Sequence, residues 1–195
     1  MVNVITSFFL RAKHWKLFLL LAVIPMVAEM VAMVSMPMTA GSSKGPGGGD
    51  FVFASITILY MFCFLIWFWS LSSFLNSIVK PELKLKTTFL RFALIYPAVY
   101  LPFFLVVFFD LRPELFAVVL PLHFFAMFCI FYCLRFVSKS LVLVETGKPA
   151  SFYDYAGPFF LIWFYPIGIW IVQPRVNRLY AERSSSEPLA PITAA

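Results

Sequence analysis

FVFASITILYMFCFLIWFWSLSSFLNSIV, residues 51–79, holds no Lys, Arg, Asp, Glu or His across its whole length. A bilayer-spanning helix needs ~20 predominantly apolar residues, and no core in a chain of this size hides a segment so long. As a helix the stretch would run roughly 43 Å, well beyond a hydrocarbon core of ~30 Å. Its composition changes along the way. Trp67 and Trp69 come where an aromatic belt at the inner interface is expected, and Ser70, Ser72, Ser73, Asn76 and Ser77 follow them. The polar tail of the block predicts a helix that projects some turns beyond the membrane and packs there; strong tilt within the bilayer is the alternative.

Three further blocks repeat the pattern, at residues 17–38, 89–109 and 115–144, and the last also continues past Arg135 as Ser138, Lys139 and Ser140. Apolar residues make up 62% of the chain and charged ones 12%, about half the usual share for a soluble domain. Cys63, Cys129 and Cys133 all fall inside apolar blocks, which argues against a disulfide framework. The basic residues do not cluster with polar surface elsewhere, so no nucleic-acid partner is expected. The first block is read as a retained helix and not as a signal peptide. Glu29 interrupts it, the apolar run resumes, and Met38, Thr39 and Ala40 make a poor small-x-small cleavage site.

The gaps orient the bundle. Arg11, Lys13 and Lys16 precede the first span, Lys80, Lys84, Lys86 and Arg91 surround the second gap, and Arg135, Lys139 and Lys148 follow the fourth block. Only Lys44 and Arg112 occupy the other two gaps. The positive-inside rule therefore puts the N-terminus in the cytoplasm. Residues 1–16 read as an interfacial leader, with Val4, Ile5, Phe8, Phe9 and Ala12 on one broad face and the three cations directed at acidic lipid head groups. The glycine-rich gap at 39–50 lacks the Gly-Lys-Ser/Thr ending of a phosphate-binding loop and reads as a linker. Residues 184–195 read as a disordered tail.

A fifth apolar run, residues 156–172, is short for a span and is interrupted by Pro166 and Gly168. Arg175, Arg178 and Arg183 follow it. If the run crosses the membrane those arginines lie outside; if it turns back or lies on the surface they stay with the other cations. Charge bias favours the second arrangement. Non-helical backbone at membrane depth must then be covered by protein.

The expected fold is an all-α integral membrane protein. It comprises the leader at 1–16, a four-helix transmembrane bundle with helical extensions over 17–145, and a linker plus a re-entrant or interfacial segment over 146–183. The C-terminal stretch also carries a resemblance. Asp154, Tyr155 and Gly157, followed by Pro166, Gly168, Trp170, Gln173, Pro174, Arg175 and Asn177, spell a signature that resembles the C-terminal part of a group of small bacterial multi-pass membrane proteins. The resemblance covers roughly the last quarter of the folded chain and brings no activity with it. It implies a bacterial cytoplasmic (inner) membrane setting.

Candidate chemistry is sparse. Glu29 and His123 lie at matching depths, about 13 Å and 12 Å from the outer ends of their helices. An acid and an imidazole at one level could share a proton, and ionisable groups within spans are functional candidates by default. The bland alternative is a neutral Glu29 on a nearby polar group, with His123 capping a carbonyl freed by Pro121. Met26, Met30 and Met33 share a helical face beside Glu29. Thioethers suit Cu(I), which makes copper permeation a minor variant, although methionine is also an adaptable packing residue. Pro25, Pro97, Pro102 and Pro121 predict kinks, which spans tolerate routinely. No nucleophile stands beside a base, because His14 and His123 are the only histidines. Asp110, Arg112 and Glu114 read as a helix start around Pro113. No cofactor motif and no metal site are read.

The function expected is thus an accessory or scaffolding subunit of a membrane complex, bound to a protein partner or to copies of itself. A small proton- or ion-coupled transporter using Glu29 and His123 is the alternative.

Overall fold

The computed structural model describes residues 4–39, 48–110 and 113–186. The expected linker between the first two spans and most of the expected tail, with Lys44 and Arg112, lie outside them. Among the described residues every regular element is helical. Helix α1 covers Val4–Arg11; α2 (His14–Phe18), a π-helical turn (Leu19–Val23) and α3 (Ile24–Thr39) follow as one continuous rod. The rod is joined by α4 (Gly48–Ile78), a short 3-10 turn (Pro81–Leu83), α5 (Thr88–Asp110), α6 (Pro113–Thr146), α7 (Phe152–Trp163) and α8 (Tyr165–Ser186).

Among the described residues four helices are long and apolar enough to cross a membrane: His14–Val34, Gly49–Ile78, Thr88–Phe109 and Glu114–Thr146. The first begins at His14, a turn earlier than the apolar run alone suggests, and Leu17 in this opening turn is fully buried. The π turn lies just ahead of Pro25. A proline ring strikes the carbonyl four residues back, here Leu21, and widening the helix at that point relieves the clash.

Burial is uneven. The core gathers at the end of the bundle where α1, α4, α6 and α8 meet, around Leu10, Leu17, Trp67, Leu71, Leu75, Val137, Leu141, Val172 and Val176. This is where α4 and α6 exceed the 23 residues of α5, with 31 and 34 respectively. Their serines are enclosed: Ser70, Ser72, Ser138 and Ser140 are fully buried. Ser70 and Ser138 donate to the carbonyls of Ile66 and Leu134 one turn back, which lets these hydroxyls sit among apolar neighbours. By contrast α3 buries only Pro25 and Ala32 among its described side chains and turns Met26, Val27, Met30, Val31, Met33 and Val34 outward.

The leader differs from its expected amphipathic split. Phe9, Leu10 and Ala12 face the core, whereas Val4, Ile5 and Phe8 are exposed on the other side. The tryptophans also separate. Trp67 is enclosed in the core and Trp69 is half-exposed on the outer face. Two residues apart on a helix they point about 200° away from each other, so only Trp69 is placed for a belt.

The fifth apolar run is a helical hairpin. Helix α7 climbs alongside α6, with Phe131 against Phe159 and Trp163. The chain then reverses at Phe164, and α8 descends past Tyr60 and Phe64 to Phe74, which meets Tyr180. The reversal rests on two residues. Gly168 lies directly on the Leu161 backbone, where an added Cβ would come within 1.7 Å of the carbonyl oxygen. Pro166 brings no N–H, and the next two, from Ile167 and Gly168, both donate to the Phe164 carbonyl at 2.9 Å. The apex therefore exposes few unpaired donors, as backbone at membrane depth requires. Tyr60, which the apex touches, lies about 27 Å along α4 from Ile78. Both ends of the hairpin thus return to the side from which it rose.

Candidate functional site

Two polar constellations stand out. The first lies at the hairpin apex, between α3 and α4. Glu29 is half-buried and accepts a hydrogen bond from the Thr57 hydroxyl at 3.3 Å. Thr57 also lies 2.9 Å from the Phe53 carbonyl, so its single proton serves one acceptor at a time. Tyr60, one turn further on, donates to the Tyr165 hydroxyl at 3.0 Å. Glu29, Tyr60 and Tyr165 share a cavity of about 320 Å³ with Met26, Met30 and Met33. A carboxyl group, two phenols and three thioethers thus line one space that the hairpin tip closes from below.

His123 is not part of it. Its ring lies between α5 and α6, with Nδ1 3.2 Å from the Tyr100 hydroxyl and the Phe104 ring 5.5 Å away. Equal depth placed Glu29 and His123 at one level, yet they lie on different sides of the bundle. Nor does His123 cap a carbonyl near Pro121. The hydroxyls of Tyr96 and Tyr100 reach the Leu122 and Val119 carbonyls at 3.2 and 3.5 Å. Among the described residues no three His, Cys, Asp or Glu side chains gather as a metal site.

The second constellation is built from the C-terminal signature, which the structure resolves into separate tasks. Gln173 is fully buried on α8. Its Nε2 donates to the Phe9 carbonyl at 2.8 Å, to the Ala12 carbonyl at 3.4 Å and to Asn177 Oδ1 at 2.8 Å, and its Oε1 accepts from Trp67 Nε1 at 3.4 Å. Asn177, one turn on, donates to the same Ala12 carbonyl at 3.1 Å. Those carbonyls are free because α1 stops at Arg11 and the chain breaks at Ala12 and Lys13 before α2 begins. The carboxamides therefore fasten the leader to the hairpin and to α4.

Trp170 packs its ring against His14 and Phe18, at centroid distances of 4.8 and 5.6 Å. Arg175 makes a two-pronged ion pair with Glu145 at the end of α6, its Nε 2.8 Å from Oε1. Asp154 accepts from both the hydroxyl and the backbone N–H of Ser151, each at 2.7 Å, and closes the first turn of α7. Those two donors, the hydroxyl first, hold its carboxyl below the ordinary aspartate range. Tyr155 is buried, Pro166 and Gly168 shape the apex, and Pro174 is exposed. Gly157 has open space around it, so no contact there requires glycine.

Reading the sequence did not single out Thr57, Tyr60 or Tyr165. The available signal was a pair of hydroxyl residues one turn apart within an apolar block, and a tyrosine beside Pro166. Compared with protein-family models, with curated proteins and with solved structures, the chain matches none.

Proposed function

We propose that this chain is an accessory or scaffolding subunit of a bacterial inner-membrane complex, with its N-terminus and both ends of its hairpin in the cytoplasm. The observation that carries the proposal is the location of the packed core. The firmest part of the molecule is the basic end, where the leader, α4, α6 and α8 are locked by Gln173 and Asn177. Outside that core stand Lys80, Lys84, Lys86, Arg135 and Lys148. A rigid cationic platform suits an acidic protein partner and the acidic head groups around it. Charge bias supplies the orientation. The role is binding, with no enzymatic step.

The test is a tagged pulldown at native level in mild detergent, with mass spectrometry of proteins, lipids and metals. A stoichiometric protein partner that is lost on Lys84→Glu and Lys86→Glu supports the subunit reading. A clean homo-oligomer carrying only lipid or an ion overturns it.

The apex cavity supports a second reading, a small proton- or ion-coupled transporter. Glu29 would act with Thr57, Tyr60 and Tyr165, and His123 has no place in it. Met26 and Met30 line the same space and keep the copper variant attached to this reading alone. If Glu29→Gln folds and leaves the phenotype intact, transport falls.

A further inference from the structure

A groove of about 750 Å³ lies between α4 and α5. Its floor is Leu65 and Leu94, both buried, and its walls include Phe62, Trp69 and Val99, all exposed. One polar side chain lines it, Arg91, at the basic end. Among the described residues no acid borders the groove, and the Arg91 guanidinium has no hydrogen-bond or ion-pair partner.

From Arg91 to Val99 the groove runs about 12 Å along α5. One leaflet of a ~30 Å hydrocarbon core is about 15 Å deep. The groove therefore starts at head-group level and reaches down most of one leaflet, with Trp69 beside its mouth at the depth that indole rings favour. An apolar trough of leaflet length, ending in an unpaired guanidinium, is complementary to one kind of molecule. A guanidinium takes a phosphate oxygen pair through two parallel N–H bonds, which a lysine cannot match. We propose that this groove is a specific site for one anionic phospholipid, its phosphate on Arg91 and an acyl chain between α4 and α5. It is separate from the apex cavity and does not depend on whether the chain is a subunit or a transporter.

The full-length protein is exchanged into mixed micelles containing phosphatidylglycerol and phosphatidylcholine, and retained lipid is counted by native mass spectrometry. The wild type should hold one phosphatidylglycerol per chain in preference to phosphatidylcholine. Arg91→Gln, at an exposed position that leaves the buried faces intact, should cut that retention about fivefold. Ala98→Trp, which fills the trough and leaves Arg91 in place, should lower retention of both lipids. Arg135→Gln, an exposed cation outside the groove, should leave the count as in the wild type. Equal retention by the wild type and Arg91→Gln overturns the site. So does an equal loss with Arg135→Gln, because bulk attraction to a cationic surface then accounts for the binding. A groove that retains no lipid in the wild type also overturns it.

Discussion

Gln173 donates to the main-chain carbonyl of Phe9 at 2.8 Å, a bond between residues 164 positions apart in the chain. It joins the descending arm of a C-terminal hairpin to the break that separates the leader from the first span. Asn177 also reaches the Ala12 carbonyl, whereas the Phe9 carbonyl accepts from Gln173. The Phe9 and Ala12 carbonyls end a helix inside protein, and Trp67 Nε1 is enclosed beside them.

Replacing Gln173 with leucine should therefore cost about 3 kcal/mol, since it strands a buried N–H and at least one buried carbonyl together. Thermal unfolding in detergent should show the loss as a clear fall in Tm. Protease should also cut the leader faster in the variant. Asn177→Leu, which leaves Ala12 in contact with Gln173, should cost about 1 kcal/mol. Equal stability of Gln173→Leu and the wild type would mean that the leader is held by apolar packing alone.

Gly168→Ala should be among the most damaging single substitutions in the chain. The new methyl would meet the Leu161 carbonyl oxygen at 1.7 Å, and both atoms are fixed by backbone. Overpacking of flexible side chains costs ~1–3 kcal/mol, and a backbone clash has less room to relax. Gly157→Ala is the internal control. It has open space and a helical backbone, so it should stabilise α7 by roughly 0.5–1 kcal/mol. Comparing the two by thermal unfolding separates close approach from glycine content in general.

Much of this architecture was legible because membranes constrain sequence so tightly. The four spans follow from apolar length alone, and the hairpin follows from Arg175, Arg178 and Arg183 together with Pro166 and Gly168. What the sequence does not carry is azimuth. Rise per residue sets Glu29 and His123 at one depth, but only packing decides that one faces Thr57 and the other Tyr100. The same gap placed Trp67 in a belt, although its spacing from Trp69 already sends the two to different faces. The acceptors of Gln173 are main-chain carbonyls, which have no residue signature. The four-residue spacing of Gln173 and Asn177 marks one polar helical face and says nothing of what it meets.

The Arg175–Glu145 pair should matter much less than its geometry suggests. The two side chains remain 29% and 20% exposed, so solvent screens the attraction. Arg175→Ala should cost less than about 1 kcal/mol, and the difference from wild type should shrink further in 1 M salt, where the screening length falls to ~3 Å. A larger loss that persists in salt would show that the arginine stem, packed against α6, contributes more than its charge.

Asp154 gives the hairpin a pH dependence of predictable sign. Hydrogen bonds from Ser151 lower its folded pKa, so its contribution is present above the unfolded aspartate value of ~3.9 and is lost as pH falls through the lower folded value. Amide exchange at 152–155, corrected for the intrinsic rate, should gain protection between pH 3 and pH 5. In Asp154→Asn that rise should vanish, since the amide does not titrate. An unchanged profile in the variant would assign the effect to another carboxylate.

The hairpin itself can be tested by asking which face of a sealed vesicle reaches each end. Lys13, in the break after α1, and Ser184, near the end of α8, are both exposed at the basic end. Phe51, near the start of α4, is exposed at the opposite end. Single cysteines at these positions should react with an impermeant maleimide from one side for Lys13→Cys and Ser184→Cys, and from the other for Phe51→Cys. The native Cys63, Cys129 and Cys133 lie within apolar spans, where that reagent does not reach. If Ser184→Cys labels together with Phe51→Cys, α7 and α8 cross the membrane as a fifth span. Gln173 could not then reach Phe9, and the lock between leader and hairpin would have to be abandoned with it.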